Sequence, residues 1–174
     1  MNQRLLNLGT DSEKLRAATA FELSVKKYLD ENGVDYLTEE RQCEEWDAKV
    51  AANGGVQPGP HPGTPDFRFD PPLPLLNPDT GEVRMICWLE VKHFYGASSI
   101  PTDSKSACGR IPQTSARYTA SFGTGAFLFA YGIGGGLLEK LNGTIILDES
   151  ILDMGETLQE MGKFCRRRDG AILP

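Results

Sequence analysis

Glu90 and Lys92 stand out first, because they end a strand that is otherwise apolar. Residues 85–92 begin as a nearly continuous apolar run, which is typical of a strand buried on both faces. Side chains alternate along a strand, so this carboxylate and this amine share one face. Ionised groups at the end of a buried strand are unfavourable unless something compensates them. A bound metal ion is one candidate for that compensation, and a simple surface ion pair is the other.

A β-hairpin would bring a second carboxylate, Asp66, to the same place. Residues 66–70 alternate as a half-buried strand does, and 77–81 carry the strong turn signal Asn-Pro-Asp-Thr-Gly. Counting thirteen residues outward from the middle of that turn reaches Asp66 in one direction and Lys92 in the other. If 66–70 pairs with 83–92, Asp66 lies at the open end of the hairpin, in a register that a proline-induced bulge can shift.

The first helix offers a third carboxylate, Glu22. Residues 11–32 are predicted to form a helix that ends at an Asn-Gly pair. Taken alone, Glu22 is most simply the edge of an apolar stripe, with its carboxylate in water. Taken together with the charged residues of the hairpin, it becomes a candidate to assist a metal ion. The stripe that defines the inward face consists of Leu15, Ala18, Val25 and Leu29.

The remaining pattern predicts an α/β sandwich with a mixed central β-sheet flanked by helices, in one domain over 1–174. Its core covers about 11–150, and a C-terminal helix and a basic tail with Arg166 to Arg168 follow. The other predicted elements are a helix over 38–52, loops over 53–63, 71–84 and 97–110, a helix from Pro112 to about Ser121, strands over 126–131 and 144–147, and a helix over 149–164.

Composition narrows the class of protein. The net charge of −6 lowers the expectation of tight nonspecific binding to nucleic acid, although a local basic groove remains compatible with it. Four scattered cysteines without a CxxC pair argue against a zinc site or a disulfide framework. No apolar run reaches membrane-spanning length and the N-terminus lacks the apolar core of a secretory signal. We therefore expect a cytoplasmic or nuclear protein.

These motifs together resemble the PD-(D/E)xK nuclease superfamily with its restriction-endonuclease-like fold. The closer resemblance is to the TPD-motif family that includes the codanin-interacting nuclease. Its Thr-Pro-Asp-Phe segment corresponds to 64–67, and its Trp-x-Glu-x-Lys strand to 88–92, followed by an aromatic and glycine segment at 94–96. A later Phe-Gly pair and an aromatic strand that ends in Tyr-Gly correspond to 122–123 and 127–132.

The resemblance implies a Mg²⁺- or Mn²⁺-dependent nuclease that hydrolyses phosphodiester bonds of nucleic acid through a metal-activated water. It implies that Asp66 and Glu90 are metal ligands, that Lys92 is the catalytic lysine, and that Glu22 is the helix carboxylate that assists the metal. The carbonyl of Val91 would complete the metal shell. Two carboxylates with water and substrate phosphate are a usual ligand set for Mg²⁺.

The helix after the central strand supplies the predicted contacts to substrate. Gln113 resembles a glutamine that some superfamily members carry there, and Arg117, four residues on, shares its helix face. The resemblance also implies a codanin-like protein partner. Two alternatives stay open: a nuclease-like scaffold that serves as a protein-interaction module without significant catalysis, and a noncatalytic nucleic-acid binder, which the acidic charge and the lack of basic stripes disfavour.

Overall fold

The computed structural model divides into two units: the described residues up to Gly33 and from Glu149 onward belong to the first, and the described residues between them belong to the second. A single domain over 1–174 stays a prediction. The predicted helix over 149–164, the run from Arg166 to Arg168 and most of the predicted loop over 97–110 lie outside the described residues. The structure describes residues 11–76, 81–97, 107–141, 143–147, 149 and 152.

In the first unit, helix α1 spans Asp11–Glu31 and confirms the predicted helix. Its predicted inward face is wrong in part, because Leu15 is 67% exposed and Glu22 is also exposed. The helix instead buries Phe21, its largest apolar side chain, and burial of an aromatic ring removes more apolar surface from water than burial of a leucine does. The buried face consists of Ala17, Ala20, Phe21, Ser24, Val25 and Leu29.

The second unit is built on a five-stranded mixed sheet whose strands lie in chain order. The first three strands pair antiparallel, and the last three pair parallel. The predicted α/β class with a mixed central sheet is therefore confirmed. The strands are β1 (Leu37–Thr38), β2 (Phe67–Leu76), β3 (Val83–Lys92), β4 (Gly125–Phe129) and β5 (Ile145–Leu147).

The described part of this unit contains three helices: α2 (Glu39–Ala52), α3 (Ala107–Phe122) and the short α4 (Gly135–Leu138). Helix α2 confirms its prediction, and Thr38 caps it by accepting a hydrogen bond from the Arg41 amide at 3.5 Å. Helix α3 begins at Ala107, five residues before its predicted start at Pro112. Proline lacks one helical hydrogen bond, but Ile111 beside it is only 2% exposed and holds this turn in the core.

One cluster of buried side chains joins α3 to the sheet and fixes the end of β3. Trp88 on β3 is fully buried, and its indole Nε1 donates to the carbonyl of Gly123 at 2.9 Å. A side chain at Gly125, on the neighbouring strand, would overlap the indole ring. The cluster contains Trp88, Ile111, Tyr118, Phe127, Phe129, Leu137 and Leu141.

Residues 53–63 contain turns and bends but no strand or helix, which confirms the predicted loop. Among the helices that the structure describes, none is long and apolar enough to cross a membrane.

Candidate active site at the end of the central strand

The predicted hairpin is confirmed, and its register is shifted by a bulge, as the sequence allowed. Phe67 pairs with Leu89, so the preceding Asp66 is level with Glu90, two positions from the Lys92 that counting from the turn reaches. A bulge between Arg68 and Leu73 causes the shift. Because a bulge adds unpaired residues to one strand only, counting from the turn cannot find the register beyond it.

Strand β2 also continues where a loop was predicted. Residues 71–76 extend it through three prolines to Leu76, and only 77–82 connect it to β3. Strand β1 pairs only with Phe67 and Arg68. Beyond Arg68, β2 is therefore an edge strand as far as the described residues go, and proline is tolerated at an edge because no neighbour needs its N–H group.

Two carboxylates interlock at the end of the hairpin. The Oδ2 atom of Asp66 accepts a hydrogen bond from the Val91 amide at 2.6 Å. The Oε2 atom of Glu90 accepts one from the Asp66 amide at 3.3 Å. Each carboxylate thus contacts the backbone of the opposite strand, so the pairing of β2 and β3 determines where both acids lie.

Lys92 is the third member of the charged group, which consists of Asp66, Glu90 and Lys92. Its Nζ atom lies 2.6 Å from Oε1 of Glu90, which is 7% exposed in a largely apolar strand. Burial of a carboxylate is unfavourable unless the charge is paired and hydrogen-bonded. The lysine and the Asp66 amide supply that compensation, so the carboxylate is held in a fixed position.

Residues of α2 and of α3 hold the loop that carries Asp66. Gln42 on α2 is buried, and its Nε2 atom donates to the carbonyls of Pro65 at 2.8 Å and Leu37 at 3.0 Å. Thr64 donates through its hydroxyl to Oε1 of Glu39 at 2.9 Å. Sequence analysis missed Gln42, because α2 looks like a uniformly polar helix and nothing local singles out one of its residues.

Tyr118 on α3 holds the same loop from the other side. Its hydroxyl donates to the carbonyl of Thr64 at 3.1 Å. Burial, together with the nearby carboxylates of Glu90 and Asp66, raises the pKa of Tyr118 well above its usual value of 10.0. The phenol therefore stays protonated and remains a donor throughout the neutral range. Sequence analysis also missed this residue, which looks like an ordinary core aromatic.

A cleft of about 500 Å³ opens beside the charged group. The predicted substrate contacts Gln113 and Arg117 line it together with Glu90 and Lys92, so the structure brings these four residues to one place. The cleft also reveals residues of α3 that the sequence did not single out. The full lining consists of Glu90, Lys92, Phe94, Arg110, Ile111, Gln113, Thr114, Arg117 and Phe127.

The carboxylates at the end of the hairpin form a small donor set for a metal ion. Within the described parts of the chain, no group of three or more His, Cys, Asp or Glu side chains could hold a metal. Asp66 and Glu90 remain as a pair, with the Val91 backbone between them, and Mg²⁺ commonly uses one or two carboxylates and completes its shell with water and phosphate. The pair fits that pattern. Glu22 lies on α1 in the other unit with an exposed side chain, and its role stays a prediction.

The fold and the site define an α/β protein with two carboxylates and a lysine at the end of a mixed sheet, next to a cleft lined by arginines. The chain belongs to the TPD sequence-motif family, described as proteins of unknown function, whose model matches residues 3–150. The predicted membership of the TPD-motif family is thereby confirmed, and membership of the PD-(D/E)xK nuclease superfamily stays a prediction. A search of curated proteins and a search of solved structures gave no significant match.

Proposed function

We propose that this protein is a Mg²⁺- or Mn²⁺-dependent nuclease that hydrolyses phosphodiester bonds of nucleic acid. The observation that carries the proposal is the meeting of Asp66, Glu90 and Lys92 at one end of the hairpin, on the edge of a cleft. Hydrogen bonds of 2.6 Å tie Asp66 to the backbone of β3 and Lys92 to Glu90. An accidental surface ion pair needs neither the third residue nor the cleft.

Asp66 and Glu90 would hold the metal, together with the Val91 carbonyl. When bound, Mg²⁺ or Mn²⁺ lowers the pKa of a coordinated water and offsets the negative charge of the phosphodiester. The ammonium group of Lys92 is suited to orient the attacking water and to stabilise negative charge that develops on the phosphoryl oxygens. Its pairing with Glu90 keeps it at the mouth of the cleft.

Helix α3 forms the wall of the cleft that would contact substrate. Arg110 and Arg117 can bind phosphate oxygens through their planar guanidinium groups. Gln113 and Thr114 offer uncharged donors and acceptors between them. This wall supplies local positive charge in a chain of net charge −6, so substrate binding depends on this cleft and not on the whole surface.

A cleavage assay tests the proposal. Purified protein is incubated with single-stranded, duplex and flap DNA and with RNA, with Mg²⁺, with Mn²⁺ and with EDTA. We expect metal-dependent cleavage that Lys92→Ala and Asp66→Asn each reduce by about 100-fold or more, because the first removes a group that stabilises developing charge and the second weakens the hold on the metal that activates water. Lys49→Ala, an exposed lysine in the last turn of α2, serves as the control and keeps full activity.

Absence of metal-dependent cleavage above these variants on every substrate would contradict the proposal. It would favour the alternative, a nuclease-like scaffold that acts as a protein-interaction module. A restriction-endonuclease-like fold, a codanin-like partner and a cytoplasmic or nuclear location stay predictions from the resemblance and the composition.

A further inference from the structure

The cleft beside the charged group has an apolar side that phosphate binding does not explain. Ile111 and Phe127 line it and are almost fully buried, so they form its floor. Phe94, two residues after Lys92, also lines the cleft but is only half-buried. The ring of Phe94 packs edge to face against Phe129, with centroids 6.2 Å apart, and this contact holds it in place. A fixed and partly exposed aromatic ring is a surface on which a flat group can stack.

The cleft also has a cationic side, formed by arginines of α3. Arg110 and Arg117 are seven residues apart on α3, so they share one face and lie about 10 Å apart along the helix axis. The guanidinium of Arg117 lies 5.2 Å from the centre of the Tyr118 ring, which limits its movement. Among the lining residues, all in the described part of the chain, three are cationic and Glu90 alone is anionic.

The size of the cleft selects between forms of nucleic acid. A volume of about 500 Å³ accommodates a ligand the size of one or two nucleotides. A duplex is far larger, since its major groove alone is about 12 Å wide, and it keeps its bases stacked inside. The backbone of a duplex could reach the arginines, but it has no exposed base to place on Phe94. Proteins that bind single strands combine a basic groove with aromatic rings on which unpaired bases stack.

We propose that the cleft binds a single-stranded segment of nucleic acid, with one unpaired base stacked on Phe94 and the flanking phosphates bound by Arg110 and Arg117. This inference rests on the proposed nuclease function and specifies its substrate class. The stacked base would fix the strand so that the following phosphodiester lies at Glu90 and Lys92. Stacking accepts any base, so the site discriminates by strand form and not by sequence.

Binding is measured apart from cleavage. Fluorescence anisotropy with labelled single-stranded DNA, single-stranded RNA and a blunt duplex of the same sequence is recorded for the native chain in EDTA and for Lys92→Ala in Mg²⁺. We expect both single strands to bind and the duplex to bind about tenfold more weakly or worse, because base stacking adds to the phosphate contacts only for unpaired strands. The two single-stranded probes show whether DNA or RNA is the better ligand.

Matched variants test the aromatic ring. Phe94→Leu should weaken single-strand binding about tenfold, and Phe94→Trp should restore it, because stacking needs an aromatic face. Phe122→Leu is the control, since Phe122 is also half-buried and packs against the same core cluster but does not line the cleft. Thermal unfolding of both leucine variants separates a loss of packing from a loss of stacking.

Matched variants also test the cationic side. Arg110→Ala should weaken binding and reduce the dependence of log affinity on log salt by about one phosphate contact. Arg84→Ala, on the hairpin and paired with Glu82, should change neither quantity.

The inference is overturned if no single strand binds in either condition, if the duplex binds equally well, or if Phe94→Leu and Phe122→Leu act alike. The proposed function fails separately. Phe94-dependent binding of single strands without cleavage in any metal would refute the nuclease and leave the binding site. Cleavage that substitution of Phe94 does not change would refute the stacking site and leave the nuclease.

Discussion

Gly63, one residue before the Thr-Pro-Asp motif, has a backbone conformation and a neighbour that together exclude any side chain. Its φ is +88°, in the region that side-chain-bearing residues rarely adopt. A Cβ atom there would lie 2.5 Å from Cε1 of Tyr118 and 3.0 Å from the guanidinium of Arg117. We expect Gly63→Ala to displace the loop that carries Asp66, or the two residues of α3, or both.

The backbone conformation and the contact with Tyr118 each contribute to the expected loss of stability. A left-handed backbone conformation costs an alanine about 1–2 kcal/mol. Insertion of a methyl group against a packed ring costs typically about 1–3 kcal/mol more. The free energy of unfolding should therefore fall by about 2–5 kcal/mol. Gly54 isolates the first effect, because its φ is +69° and nothing lies within 4 Å of an added Cβ; Gly54→Ala should lose only about 1–2 kcal/mol.

Urea unfolding of the native chain and both variants measures these differences in the free energy of unfolding. The cleavage assay shows whether either substitution also disturbs the candidate site. We expect Gly63→Ala to lose activity under conditions where it is still folded, and Gly54→Ala to retain it. Equal stability of the two variants would refute the contact with Tyr118. A stable and fully active Gly63→Ala would refute the whole account of how this loop is positioned.

Three further predictions concern neighbouring contacts. Tyr118→Phe removes the hydrogen bond to the Thr64 carbonyl and should lower the free energy of unfolding by about 1 kcal/mol in urea titrations. Gly125→Ala should lower it by about 1–3 kcal/mol or prevent folding, because the methyl group overlaps the Trp88 ring; unchanged thermal unfolding would contradict this. Burial lowers the pKa of His93 below its usual 6.5, so folded protein binds fewer protons than unfolded protein, and stability falls as pH drops below about 6.5. His93→Gln should flatten that pH dependence in unfolding experiments; an unaltered slope would refute it.

The parts of the site that could be predicted are those set by local pattern. The apolar run of β3 ends in Glu90 and Lys92, and alternation along a strand places both on one face. The turn signal at 77–81 then predicts the hairpin that brings Asp66 to them. The exact register could not be predicted, because the bulge after Arg68 depends on how the edge of the sheet is paired.

Contacts between distant segments account for the rest. Gln42 is 23 residues from Pro65, and Tyr118 is 54 residues from Thr64, so no local pattern links them. The face of α1 was missed for a different reason. Apolar residues occur at helical spacing along two overlapping stripes, and tertiary packing selects the one that contains Phe21. Propensity and periodicity identified the helix but could not identify its buried side.

The hydrogen bonds between Asp66 and β3 limit which residues can replace Asp66 without loss of the strand pairing. The carboxylate accepts the Val91 amide at 2.6 Å, and the Asp66 amide in turn donates to Glu90. A mutation that removes this acceptor would loosen the strand pairing at the same time as it removes a proposed metal ligand. Asparagine keeps an oxygen for the amide, whereas alanine does not. A lineage that lost the proposed chemistry would therefore pass through asparagine more readily than through alanine, and would keep the hairpin as it did so.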